Sequence, residues 1–155
     1  MKIEFEAIAY VENHRDEITD DQWGKTISKI TLTESFSAES LKGLNEFSHV
    51  EIIFYFHQVQ DGKIVEGARH PRNNPSWPKT GIFSQRGKNR PNRIGLTIAK
   101  IIKVEGRILT VQGLDAINGT PVLDIKPAFR QFLPTEPVRQ PAWVDELMDD
   151  YCEEV

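Results

Sequence analysis

Between residues 83 and 97 the chain runs FSQRGKNRPNRIGLT, which spaces Arg86, Lys88, Arg90 and Arg93 two or three residues apart among Pro, Asn and Gly. A guanidinium presents its donors as a planar fork matching the two oxygens of a carboxylate or phosphate, so this spacing suits recognition of an anion. Trp77 and Phe83 beside it offer faces on which a base can stack. Pro71, Pro75, Pro78 and Pro91 frame the stretch and reduce the freedom it would lose on ordering. Residues 69–107 hold ten Lys/Arg against the single acid Glu105, a local +9 in a chain whose net charge is -4. An acidic body with one basic middle points to an anionic target held on one face. Composition supports equally a solvated loop whose cations pair with the acidic flanks, with Phe83 closing the lid of a core.

A second group of ionisable residues lies in LDAINGTPVLDIKP, residues 114–127, where Asp115 and Asp124 flank an Asn-Gly-Thr-Pro turn. Acid/base chemistry is one reading of the two carboxylates; an Asx cap at Asp115 and a surface pair between Asp124 and Lys126 is the other. None of His14, His49, His57 and His70 belongs to a Ser or Cys nucleophile motif, and His49 inside a strand pattern is expected to be a satisfied core residue. No glycine-rich dinucleotide or phosphate loop is present. The single cysteine, Cys152, permits no intrachain disulfide and fits a reducing compartment. Glu4 and Glu6 interrupt what would be the apolar core of a signal peptide, and no apolar run approaches the roughly 18 to 20 residues that span a bilayer. The expectation is a soluble, cytoplasmic protein of one domain, 1–155, with no metal site.

Period-2 alternation supplies the elements that must position these groups. Strands are expected over 3–10, 26–32, 49–56, 94–104, 107–113 and 121–127, with a bulge near Ile27 and Ile30 and a tight hairpin at Glu105-Gly106. The run at 49–56 is continuously apolar and therefore central. Helices are expected over 37–47, capped by Ser37, and over 141–152, where Trp143, Leu147 and Tyr151 form a docking stripe. The fold class is mainly β, an antiparallel barrel or sandwich with peripheral helices. The long irregular segment 58–81 is expected to be functional.

The motifs GLNEFSHVEIIFYFHQ, HPRNNPSWPKTGIFSQRGKNRPNRIGLT and LDAINGTPVLDIKP, in that order, closely resemble the TrmO/TsaA-like family of S-adenosylmethionine-dependent methyltransferases, over roughly residues 3–127. The resemblance implies a small antiparallel β-barrel, a homodimer with the cofactor near the subunit interface, and methylation of the N6 nitrogen of N6-threonylcarbamoyladenosine beside the anticodon of threonine tRNA. It implies cofactor contacts at His57, Gln58, Arg86, Leu96, Asp115, Ala116, Ile117 and Asn118, and at Gln22, the one match to a Pro-Arg-Gln segment of the family. Asp124 and His57 are the candidates for the base that the delocalised, urea-like nitrogen would require. Lys88, Arg90 and Arg93 would hold RNA phosphates. The chain departs from the family pattern at Gly87 (Ser or Thr), Arg93 (Pro), Asn118 (Asp) and Ala128 (Tyr). After residue 127 a helix is expected where longer members carry a second domain. These departures keep open another RNA or a small molecule as substrate, or a non-catalytic RNA- or nucleotide-binding module.

Overall fold

The computed structural model describes residues 1–152. Its strands are β1 (Ala9–Glu12), β2 (Ile27–Leu32), β3 (His49–Tyr55), β4 (Ala68–Arg69), β5 (Thr80–Gly81), β6 (Ile94–Glu105), β7 (Ile108–Gln112) and β8 (Pro121–Pro127), followed by one short helix, α1 (Ala142–Leu147). Six of the strands close an antiparallel barrel in the order β1-β2-β7-β6-β3-β8, and β4 and β5 form a separate two-stranded ribbon. Closure removes the free edges that a sandwich would leave to be covered.

Alternate residues fill the barrel. Val11, Ile30, Val50, Ile52, Phe54, Leu109, Val111 and Val122 are buried together with Ala9 and Ala99. β3 pairs with β6 on one side and β8 on the other, so the most apolar strand is central. Gly95 is required beside it, because a Cβ there would lie 2.4 Å from the Phe54 ring.

Several boundaries differ from those the alternation suggests. Residues 3–8 form no strand, and Ile3 and Phe5 are exposed. β1 begins at Ala9 because its partner β2 ends opposite it at Leu32; Thr33 N makes one last bond, to Ile8 O, before the chain turns over residues 33–36. β2 pairs without a bulge; Ser28 faces inward beside Ile30, and Ile27 outward. Register shifts fall instead at Ile53/Phe54 and Ile101/Lys103. Glu105 pairs with Ile108, so the hairpin turn is Gly106-Arg107, with Gly106 at φ +56°. His49 is exposed, its Nδ1 2.8 Å from the Ser48 hydroxyl, because even-numbered residues of β3 take the interior.

The expected helix over 37–47 is two 3-10 turns, Ala38–Leu41 and Leu44–Glu46, parted by Gly43 at φ 85°. Ser37 caps the first, accepting from Glu39 N at 3.3 Å, and Leu41 and Leu44 still reach the core. The helix expected over 141–152 is shortened to α1, after which the chain turns at Met148 to Tyr151. At the residues following β8, Phe129 stacks on Phe47 with ring centroids 5.7 Å apart.

Antiparallel alternation sends three connections to one mouth of the barrel: residues 13–26, 56–93 and 113–120. These segments hold most of the candidate site residues. The 33–48 connection and the Gly106-Arg107 turn close the opposite end.

Candidate functional site

The mouth is braced by polar contacts between segments far apart in sequence. Arg15 donates to the carbonyls of Asp21 (2.9 Å) and Gln22 (2.8 Å) and lies 4.0 Å over the Trp23 ring. That arrangement holds Gln22 at φ 67°. The acidic turn then meets the basic loop: Arg72 forks onto Asp21 at 2.7 and 2.9 Å, and Lys88 reaches Asp20 at 2.9 Å. Arg93 pairs with Asp61 and donates to the Tyr55 hydroxyl at 2.8 Å. Arg90 donates to the Gln85 carbonyl at 2.8 Å. Buried Gln85 donates from Nε2 to the carbonyls of Arg69 and Thr80, both at 3.0 Å, locking the β4–β5 ribbon against the loop. Both compositional readings of the basic segment therefore hold in part. Arg72, Lys88 and Arg93 pair with acids, while Arg69, Arg86 and Arg90 make no ion pair among the described residues.

Between these segments lies a cavity of about 830 Å³, lined by Arg69, Arg72, Arg86, Lys88, Arg90 and Arg139 against two acids, Asp20 and Asp115. Its walls include Phe54, Phe56, Phe83, Leu96 and Ile117. Phe83 is 78% exposed, so it belongs to the rim and not to a core lid. The size falls within the range of small-molecule sites, and the mixture of apolar wall and convergent charge is what such sites use.

α1 and the turn after it cross one side of the opening. Trp143, Leu147 and Tyr151 all face the cavity, so the expected stripe docks there. Trp77 Nε1 donates to Glu146 at 2.8 Å, and the backbone N–H groups of Gln22 and Trp23 donate to the carbonyls of Asp150 (3.1 Å) and Tyr151 (2.8 Å). Gly24 permits this approach; a Cβ there would sit 2.3 Å from the Cys152 carbonyl oxygen.

Asp115 is the carboxylate at the centre. It accepts hydrogen bonds from the hydroxyls of Thr97 and Tyr151. Burial, then the Asp115 charge and hydrogen bond, push the Tyr151 phenol far above its ordinary range, with the Arg86 charge opposing. Burial lowers the pKa of His57, which also lines the cavity. Arg86 is steered by a 2.7 Å hydrogen bond to the Leu96 carbonyl at the start of β6.

Of the cofactor-contact candidates, His57, Gln58, Arg86, Leu96, Asp115, Ala116 and Ile117 line this cavity. Gln22 and Asn118 do not. Gln22 is held in the bracing turn, and Asn118 donates to Asp16 at 3.0 Å while accepting from Asn13 N at 3.3 Å, so it ties two loops together. Asp124 lies on the barrel wall, accepting from Ile125 N and paired with Lys126, outside the cavity. Lys88 and Arg90 face the cavity and Arg93 does not. Thr97 and Arg69 were not singled out by motif; the β-strand alternation that turns Gly95 inward also turns Thr97 inward, whereas no local signal separates Arg69 from its basic neighbours.

Residues 18–132 match the family model described as the tRNA-methyltransferase O N-terminal domain. The human tRNA (adenine(37)-N6)-methyltransferase is 47% identical over 102 residues, 66% of this chain and 23% of that protein. The Escherichia coli protein of the same name is 38% identical over 63% of this chain and 43% of its own length. A crystal structure of TrmO from P. aeruginosa superposes with a TM-score of 0.74 at 26% identity, covering 92% of this chain and 62% of that one. The chain thus spans less than two thirds of these relatives' lengths. With the barrel, the motif order and the family model in agreement, the chain belongs to the family of the tRNA-methyltransferase O N-terminal domain.

Proposed function

We propose that the protein is an S-adenosylmethionine-dependent methyltransferase acting on the N6 nitrogen of N6-threonylcarbamoyladenosine beside the anticodon of threonine tRNA, in the cytoplasm. The observation that carries this reading is the gathering of His57, Arg86, Leu96 and Asp115 around one cation-rimmed cavity. The residues present fit the cofactor: Arg86 offers a cation to its carboxylate, Asp115 accepts from hydroxyl donors, and Leu96 and Ile117 supply an apolar wall for adenine. When bound, S-adenosylmethionine supplies an electrophilic methyl group.

The protein's part is orientation and proton removal. A carbamoyl-substituted amine nitrogen is a weak nucleophile because its lone pair is delocalised. His57 is the base candidate that lines the cavity, and burial lowers its pKa, which favours the neutral imidazole, the form that can accept a proton. The role of base falls to His57, since Asp124 faces away from the site. Lys88 and Arg90, which line the cavity, are the contacts assigned in this reading to phosphates flanking an inserted base.

A homodimer is part of the proposal. Ile94, Leu96 and Ile98, outward-facing on β6 and 37% to 48% exposed, form an apolar row at the cavity rim, ended by Lys100 and suited to a second copy. The functional test is mass spectrometry of tRNA nucleosides from cells lacking the protein, with purified protein and threonine tRNA in a methyl-transfer assay. Loss of methylated threonylcarbamoyladenosine, restored by the pure protein, is expected; an unchanged peak refutes the assignment.

A further inference from the structure

Arg69 lines the cavity and the cofactor reading leaves it unused. Its Nε is buried without a hydrogen-bond partner, and its guanidinium makes no ion pair among the described residues. Its neighbours behave otherwise: Arg72 and Lys88 are neutralised by Asp20 and Asp21, and Arg86 and Arg90 donate to carbonyls. Burying a charged donor without a partner is costly, and such a group calls for an explanation, of which a ligand that completes the pairing is one.

The group is also held in place. Gln85 fixes the Arg69 backbone within β4 through its carbonyl, at 3.0 Å. Gly87 makes room for the guanidinium, since a Cβ at residue 87 would lie 2.9 Å from Nη2. Here the family pattern has Ser or Thr, so in this chain the space of a side chain is taken by the fork of Arg69.

We propose that Arg69 is the specificity-determining residue of the cavity, binding a substrate carboxylate, that of the threonyl group on the modified base. The inference rests on the proposed substrate and deepens it. Unmodified adenosine carries no carboxylate and leaves Arg69 unpaired, whereas the threonylcarbamoyl group presents one beside the N6 nitrogen. A buried donor built for one group rejects the analogue lacking it far more strongly than an apolar pocket rejects a change of size. The planar fork suits a carboxylate bidentately, which a lysine cannot reproduce.

The test measures binding of an anticodon stem-loop RNA carrying threonylcarbamoyladenosine either as the free acid or as its methyl ester. The whole chain is expected to favour the acid on the order of 100-fold or more, the scale of one charge-assisted hydrogen bond lost. Arg69→Gln should bind both RNAs alike, and Arg69→Lys, which keeps the charge and the β4 stem, should retain only about a tenth of the preference. S-adenosylmethionine binding by calorimetry should be unchanged in both variants. Failure of the protein to bind the acid or to discriminate, or discrimination surviving in Arg69→Gln, overturns the inference; so does survival in Arg69→Lys should the glutamine variant not fold. Equal weakening toward both RNAs would make Arg69 a phosphate contact, and weakened S-adenosylmethionine binding would make it a cofactor anchor; either result also overturns it. Methyl transfer is read separately. An Arg69-dependent acid preference without turnover would remove the methyltransferase reading and leave this one standing.

Discussion

Two hydroxyls, from Thr97 and Tyr151, converge on Asp115, and the charge of Arg86 acts on the Tyr151 phenol in the opposite sense. At the scale of single residues the site is therefore a small electrostatic balance, in which one carboxylate organises the wall and Arg86 stays without an ion pair among the described residues. Arg86 is exposed and makes one internal hydrogen bond, to Leu96 O. Arg86→Ala is accordingly expected to weaken S-adenosylmethionine binding roughly 10- to 100-fold, the scale of one charge-assisted hydrogen bond, with little loss of thermal stability. Calorimetry and a melting curve on the same sample check both parts. A variant that melts lower but binds normally would make Arg86 a loop anchor.

At the scale of elements, α1 and the turn that follows it form a strap pinned to three different segments: Trp77 in the proline-rich loop, Gln22-Trp23 in the acidic turn, and Asp115. The last of these depends on pH. The folded-state pKa of the Tyr151 phenol is raised by burial and by Asp115, so its contribution to stability is complete below the ordinary tyrosine pKa of about 10 and is lost as pH rises beyond it. In that range the unfolded chain binds fewer protons than the folded one, so stability falls with pH. Tyr151→Phe is expected to cost about 1 kcal/mol at neutral pH and to make the decline above pH 10 shallower. Denaturant titrations between pH 7 and 11 compare the two proteins; parallel curves would show that the phenol does not titrate against the fold.

Across the whole molecule, barrel closure sends the 13–26, 56–93 and 113–120 connections to one end, and the charge follows them. The acidic turn neutralises part of the basic loop and leaves a cationic cavity, which focuses positive potential at the mouth and favours an anionic ligand. The apolar row of β6 begins at this rim. Ile98→Asp puts a charge in that row, away from the cavity lining, and is expected to convert the proposed homodimer to monomers without unfolding the barrel. Light scattering on size-exclusion chromatography gives the mass directly; a variant with the same mass as the parent chain would place any interface elsewhere.

Strand positions were legible because alternation is a local property. Every inward residue of β3 and β7 follows from period two, and a β-branched, aromatic run such as 49–56 has to be central. The basic loop and the Asp115 turn were legible as motifs for the same reason. Ion pairing was not. Asp20 and Lys88 lie 68 residues apart, and only the folded mouth decides that Lys88 is neutralised while Arg69 keeps a buried, unpartnered Nε. Strand ends and faces were equally non-local: residues 3–8 alternate like a strand, yet the pairing stops at Ile8, which bonds Val122 O and Thr33 N, and Asp124 shares a motif with Asp115 yet points off the barrel wall beside Lys126. Sequence patterns determined the barrel and the kind of ligand its loop can grip. Which charges remain for that ligand was decided by the tertiary structure alone, because electrostatic pairing depends on distance in space and carries no signature along the chain.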